Sequence, residues 1–268
     1  MTETSSFYFA GVAADRLFGN HLCPHRHIRI LDPSGTSIAI SRNGVEKMDI
    51  FIQHYKKNMA GRDYAVGDIH GHFGRLEHAM ETIGFDPGQD RLFSVGDLVD
   101  RGPQADQALD WLALPWFHAV RGNHEDYAIR HSLIGGVDIE NYRSNGGGWF
   151  LDMPRTRQKQ FGLVFNDLPY AMEIETDNGL VGIIHAVCPV PDWAQLADAL
   201  GSESARMQAI WSRERIQSLD ETKVKNIHAV VVGHTPLQEV VALGNTVHID
   251  TGGWLEKGHF TLLDLGNF

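Results

Sequence analysis

The sequence predicts an α/β fold, and two observations carry that prediction. Three times between residues 60 and 130, a short apolar run ends in a glycine-bearing loop and is followed by a helical pattern, which is the β-loop-α unit of an α/β protein. Further on, β-type runs alternate with turn dipeptides. The first unit is Tyr64-Ala65-Val66 running into Gly67-Asp68-Ile69-His70-Gly71. A helix follows, with Leu76, Met80 and Ile83 on one face and Gly84 as its stop. In the second, Leu92-Phe93-Ser94-Val95 leads into Gly96-Asp97, and Pro103 opens a helix carrying Ala105, Ala108, Leu109 and Leu112. In the third, Phe117-His118-Ala119-Val120 leads into Arg121-Gly122-Asn123-His124-Glu125 and another helical stretch. Strands are then expected at 171–175 and 180–185 around Asp177-Asn178-Gly179, and at 229–232 before Gly233-His234. Two more are expected at 238–243 and 246–250 around Gly244-Asn245, and a last one at 260–265.

Residues 1–47 read differently and form an N-terminal extension to a domain spanning 48–268. The extension shows weak periodicity apart from candidate strands at 28–31 and 37–40, with Asp32-Pro33-Ser34-Gly35 as a turn between them. It also holds the patch His21-Leu22-Cys23-Pro24-His25-Arg26-His27. Cys23, His25 and His27 are metal-capable, but without a second ligand pair at fixed spacing a solvated loop is the simpler reading.

Composition narrows the function. With 43% apolar and 21% charged residues the chain is ordinary for a globular protein. A formal net charge of −11 argues against nonspecific nucleic-acid binding, which needs a basic surface. It leaves room for an anionic substrate at a site made positive by metal ions. Two cysteines, Cys23 and Cys188, make no disulfide framework and no CxxC pattern. No run of about 18 apolar residues predicts a membrane span, and the start lacks the basic segment of a signal peptide. These features lead us to expect a cytoplasmic protein that does not bind membranes.

The loops carry the chemistry. Each follows an apolar run and presents Asp, His or Asn, and ligands collect at the carboxyl ends of strands in α/β sheets. The candidate metal ligands are Asp68, His70, Asp97, Asn123, His185 and His234. Asp68 and His70 are two residues apart, so an extended backbone sends both side chains the same way. Singly, each has a blander reading: a turn or cap residue for the aspartates and Asn123, a satisfied core histidine for His185. Five such loops in one chain are hard to assign to chance. Oxygen and nitrogen donors without thiolate suit Mn, Fe or Zn, and six protein ligands are too many for one catalytic ion with an open position. Two divalent ions sharing a carboxylate use them fully, and Asp97, between the other loops in sequence, is the natural bridge. Two such ions about 3.5–4 Å apart can deprotonate a water between them for in-line attack on phosphorus.

Gly67-Asp68-Ile69-His70-Gly71, Gly96-Asp97-Leu98-Val99-Asp100-Arg101-Gly102 and Arg121-Gly122-Asn123-His124-Glu125 resemble the three signature blocks of the phosphoprotein phosphatases, within the calcineurin-like metallophosphoesterases. His185-Ala186, Gly233-His234-Thr235 and Ile249-Asp250-Thr251-Gly252 match later blocks. Asn145-Gly146-Gly147-Gly148-Trp149-Phe150 and Trp211-Ser212-Arg213-Glu214-Arg215-Ile216 resemble segments of the phage and bacterial subgroup. The resemblance runs from about Met48 to the C-terminus. It implies two packed β-sheets flanked by helices, with Asp68, His70 and Asp97 on one ion and Asp97, Asn123, His185 and His234 on the other. It further implies that His124, paired with Asp100, is the general acid for the leaving alkoxide, a task imidazole suits near neutral pH. Arg101 and Arg213 would grip the phosphate oxygens with their planar forks, although Arg213 also reads as a helix-surface charge. Asp250 reads as a ligand-orienting carboxylate or a strand end, Glu125 as a helix N-terminal charge or a site residue, and the glycines at 146–148 as backbone geometry.

The expected activity is hydrolysis of phosphoserine and phosphothreonine in protein or peptide substrates, with phosphotyrosine as a further candidate, without a covalent intermediate. Manganese is the expected metal. Two alternatives stand beside it: a diadenosine-tetraphosphate hydrolase of the same superfamily, and a noncatalytic phosphoprotein-binding module that keeps metals for structure. Val99-Asp100-Arg101-Gly102 together with Glu125 favours the protein phosphatase over the first, and the full ligand set with His124 disfavours the second.

Overall fold

The structure, a computed structural model, describes residues 28–31, 37–41, 44–47 and 51–267. His21, Cys23, His25, His27 and the turn at 32–35 lie outside the described residues. The chain separates into two compact units, Met1–Met48 and Asp49–Phe268. In the first, β1 (Ile28–Leu31) pairs antiparallel with β2 (Ser37–Ser41), the hairpin expected from the turn signal. A third strand, β3 (Gly44–Lys47), adds antiparallel to β2 and was not anticipated.

The second unit is built on two sheets. One has four strands in the order β13-β5-β6-β7: β5 (Asp63–Val66), β6 (Arg91–Ser94) and β7 (Phe117–Ala119) are parallel, and β13 (Leu262–Asp264) lies antiparallel on β5. The other has six strands, ordered β11-β12-β10-β9-β8-β4. Its members are β4 (Ile52–Tyr55), β8 (Ala171–Thr176), β9 (Gly179–Ile184), β10 (Ala229–Val232), β11 (Val241–Leu243) and β12 (Thr246–His248). β9, β10 and β12 run parallel to one another, while β8 with β9 and β11 with β12 form the expected antiparallel hairpins. β4, pairing with β8 at the edge, has no alternating pattern in sequence and was not anticipated.

Side-chain parity explains why the sheets stack. Successive strand residues point to opposite faces. Ala65, Phe93, Met172, Ile174, Val181, Ile183, Ala229 and Val231 share one core cluster between the two sheets. Their neighbours Tyr64, Val66, Leu92, Phe117 and Ala119 face a second cluster with Phe73, Leu76 and Ala108, under helices Phe73–Thr82 and Ala108–Leu112. Ala171, Ile184, Val230 and Val232 face a third, with Leu196, Ala209 and Ile210 from helices Leu196–Ala199 and Glu203–Trp211. Strands buried on both faces read as continuous apolar runs, as β10 does. The helix expected after Pro103 begins as a 3-10 turn, Ala105–Gln107, and becomes α-helical only at Ala108. The final strand is shorter than its apolar run because the chain turns into a 3-10 helix at Leu265–Asn267, with Leu265 buried between the sheets. Among the described residues, no helix is long and apolar enough to cross a membrane.

Candidate metal centre

Six strand ends converge on one place. β5 delivers Asp68 and His70, β6 delivers Asp97, Asp100 and Arg101, and β7 delivers Asn123 and His124 at the start of helix Asn123–Ile129. β9 delivers His185, β10 His234 and β12 Asp250. All six predicted ligands are buried, with 5% exposure or less. Asp97 Oδ2 lies 3.4 Å from His185 Nε2 and 3.7 Å from His70 Nε2. His185 Nε2 is also 3.0 Å from Asn123 Oδ1, and His70 Nε2 is 3.9 Å from Asp68 Oδ2. The backbone N–H of His234 donates to Asp68 Oδ1 at 3.0 Å, tying the two sheets together at the site. Two groups of metal-capable atoms result: His70, Asp97 and His124, and Asp97, His185 and His234. Asp97 belongs to both.

The donor set fits divalent ions, and the hydrogen bonds say why. His70 Nδ1–H donates to the Val99 carbonyl at 2.9 Å, and His185 Nδ1–H to the Val95 carbonyl at 2.7 Å. Each thereby turns Nε2 toward Asp97, 3.7 Å away for His70 and 3.4 Å for His185. His234 does the reverse: Nε2–H donates to the Trp211 carbonyl at 3.1 Å, leaving Nδ1. Such outer partners fix tautomer and orientation in metal sites. His124 differs, since its Nδ1 is held by Asp100 Oδ2 at 2.6 Å. That partner is a carboxylate, and it sets His124 apart from the three rings tied to carbonyls.

Charge points the same way. Asp68, Asp97, Asp100, Glu125 and Asp250 are all buried to 2% exposure or less within this small region. Burial first, then the charge on Asp250, raises Asp68 well above the usual carboxylate range. Burial likewise raises Asp250 to about 6. One Asp250 oxygen is buried without a hydrogen-bond partner among the described residues. Burial pulls His185 down, but Asp97 and Asp68 outweigh it and lift the ring to about 10. His234 is lowered to about 3 by burial and by the charge on His185. So much buried negative charge is costly unless cations share it.

The backbone is strained around the candidate site. Seven non-glycine residues among those described have a positive φ, and five of them are His70, Asp97, Asp100, Arg101 and His234. Left-handed conformations in L-residues persist only where the surroundings over-determine them. One source of that constraint is Glu125. Its carboxylate accepts the backbone N–H groups of Asp97 (2.9 Å), Leu98 (2.8 Å) and Gly122 (2.8 Å), clamping two ligand loops. A Cβ on Gly122 would overlap the Asp97 carboxylate, so only glycine lets these loops approach so closely. The sequence left Glu125 undecided between cap and site. It is both, and its position three residues after Gly122 at a helix start was the available signal.

Arg101 lies over the site. Its guanidinium donates to His70 Nε2 at 2.8 Å and to His124 Nε2 at 3.1 Å, and it stacks 4.3 Å from the Trp254 ring centroid. Trp254, which also meets the His70 ring edge-on, carried no sequence signal. Arg213 is exposed, just before helix Glu214–Ser218, and its charge contributes to lowering His234. His118 packs between Tyr55 and Phe93, and His78 is a surface residue. The Cys188 thiol donates to the Val190 carbonyl, and burial raises it to about 11, which suits a packed thiol.

The chain is 33% identical over 195 residues to serine/threonine-protein phosphatase 2 of Escherichia coli (strain K12), covering 70% of this chain and 86% of that protein. It is 30% identical over 144 residues to a symmetrical bis(5'-nucleosyl)-tetraphosphatase of Methylococcus capsulatus, covering 48% of this chain and 51% of the relative. A solved protein serine/threonine phosphatase from Saccharomyces cerevisiae shares the fold, with a TM-score of 0.54 and 17% identity over 75% of this chain and 70% of that one. The family profile for calcineurin-like phosphoesterases matches residues 64–256, which hold every residue of the site above, and the chain belongs to that family.

Proposed function

We propose that this chain is a metal-dependent protein phosphatase that hydrolyses phosphoserine and phosphothreonine esters, with phosphotyrosine a further substrate to test. The observation that carries the reading is the buried Asp100–His124 pair, set beside a ligand cluster organised around Asp97. A monoester with an alkoxide leaving group needs a proton donor, and this pair provides one. The similarity to the E. coli phosphatase over most of both chains supports the choice of substrate. The similarity to the tetraphosphatase spans only about half of each chain.

In this reading Asp68, His70 and Asp97 hold one divalent ion, and Asp97, Asn123, His185 and His234 hold a second, with manganese first among Mn, Fe and Zn. When bound, such a pair supplies Lewis acidity to the phosphoryl oxygens and a water ionised at neutral pH. The chain's own groups do the rest. His124 keeps Nδ1–H on Asp100 and, once Arg101 has left its Nε2 for the phosphate, takes up a proton there and offers it to the leaving oxygen. Arg101 exchanges its two imidazole acceptors for phosphate oxygens, which bind a guanidinium more strongly because they are charged. Arg213 meets the phosphate from the exposed side of His234. Glu125 holds Asp97 in place throughout. Cys188, protonated and tied to Val190, takes no part as a nucleophile.

The test compares a phosphoserine peptide with diadenosine tetraphosphate at equal concentrations of Mn2+-loaded enzyme, with and without chelator. Chelator-sensitive turnover that favours the peptide supports the proposal. Preference for the dinucleotide replaces it with the tetraphosphatase reading, and no turnover of either leaves a binding module.

A further inference from the structure

We propose that Trp149 is a positioning residue for proton delivery, holding the Asp100 carboxylate so that His124 stays aimed at the leaving oxygen. This deepens the phosphatase reading above and rests on it. The Trp149 indole N–H donates to Asp100 Oδ1 at 2.6 Å, while Asp100 Oδ2 accepts from His124 Nδ1 at 2.6 Å. Asp100 and His124 are buried to 1% exposure or less. A carboxylate held at one oxygen can swivel about its Cβ–Cγ bond. Held at both, it cannot, and the imidazole bonded to it keeps one orientation.

The segment before Trp149 is shaped to bring the indole there. Asp100 and Arg101 both have left-handed backbone, φ 70° and 63°, a conformation that needs support from its surroundings. Gly146, itself at φ 99°, lies flat against that turn: a Cβ there would sit 2.5 Å from the Arg101 amide nitrogen. Gly147 lies on the Tyr142 ring so closely that a Cβ would overlap it. The Trp149 ring is then fixed edge-on against Phe150 and Phe161, with centroids 5.6 and 5.3 Å away. The glycine run and the tryptophan thus form one brace on the Asp100–Arg101 turn.

The brace matters at a single step. As the ester P–O bond breaks, its electron pair goes to the leaving oxygen, which takes the proton from His124 Nε2. The ring is left neutral with Nδ1–H still on Asp100. A misaligned ring slows this transfer, and only for leaving groups that need the proton. Trp149→Phe keeps an aromatic ring and deletes the donor. On a phosphoserine peptide its kcat should fall about 10–100-fold, part of the about 10²–10⁴-fold that a general acid contributes. The loss on p-nitrophenyl phosphate, whose leaving group departs unprotonated, should be at least ten times smaller, with bound metal unchanged. In a His124→Asn background the same substitution should cost nothing further, the non-additivity expected of residues acting as a unit. Should the phenylalanine variant not fold, benzothienylalanine at position 149 removes the N–H while keeping the indole shape and serves the same comparison. Equal losses on both esters, no loss on either, or full additivity with His124→Asn would overturn the proposal while leaving the phosphatase reading intact. If the wild-type enzyme turns over neither ester, the phosphatase reading falls and this proposal with it.

Discussion

Replacing Glu125 tests whether the ligand loops are held by one buried side chain. Its Oε2 accepts from Asp97 N and Gly122 N, and its Oε1 from Leu98 N. Glu125 is fully buried, so water cannot stand in for it. Glu125→Ala strands three buried donors. At about 1–3 kcal/mol for each unsatisfied group the loss is about 3–9 kcal/mol, comparable with the about 5–15 kcal/mol that holds a whole domain together. Glu125→Gln keeps an amide oxygen for two donors and sets its NH2 against Leu98 N–H, so one donor is stranded, at about 1–3 kcal/mol. Part of that cost is returned. Burial and the charge on Asp97 raise Glu125 to about 7, so a neutral side chain relieves some repulsion. The expected order is therefore wild type, then Gln, then Ala. Because the clamp grips the Asp97 backbone, metal affinity should fall about 10–100-fold in the glutamine variant, the usual cost of losing a ligand's support. Urea denaturation followed by circular dichroism gives the stabilities, and calorimetric titration with Mn2+ gives the affinities. An alanine variant within about 1 kcal/mol of wild type that binds both ions normally would refute the clamp.

Three further outcomes are expected. His124→Asn should reduce kcat by about 10²–10⁴-fold with two ions still bound; metal loss, measured by elemental analysis after dialysis, would make His124 a ligand instead. Asp97→Asn should weaken both ions together, since this carboxylate is common to both groups, and retention of one at full occupancy would contradict the sharing. His118, between Tyr55 and Phe93, is lowered to about 4 by burial and then by Arg91. The unfolded chain therefore takes up a proton near pH 6.5 that the folded chain refuses until about pH 4, so stability falls as pH drops through that window. His118→Phe should remove about 1–2 kcal/mol of the acid destabilisation between pH 7 and 5, read from urea midpoints at the two pH values; an unchanged difference would show that His118 does not titrate this way.

The candidate metal ligands were legible because each stands in a short segment whose chemistry is local. Asp68 and His70 follow an apolar run that reads as a buried strand, and His185 and His234 end runs of the same kind. Their meeting follows from a general property of parallel strands, whose carboxyl ends share an edge. β4 was not legible, because an edge strand buries little and needs no alternation to pair, and the extra strand β3 was not anticipated either. The long-range contacts that support the site were not legible either, although Glu125's place three residues after Gly122 marked it as a cap. Trp149 reaches Asp100 across 49 positions and Glu125 reaches Leu98 across 27, and neither spacing has a period to betray it.

By itself, then, the chain of residues determined the fold class and the strand–loop–helix order and marked the candidate ligands, because those depend on local pattern and side-chain chemistry, while the acid role proposed for His124 rests on the family resemblance. Tertiary structure alone decided which nitrogen of each histidine turns into the candidate site, and that five site residues hold left-handed backbone. Those outcomes depend on hydrogen bonds and close approaches between distant segments, and such contacts exist only once the two sheets have packed.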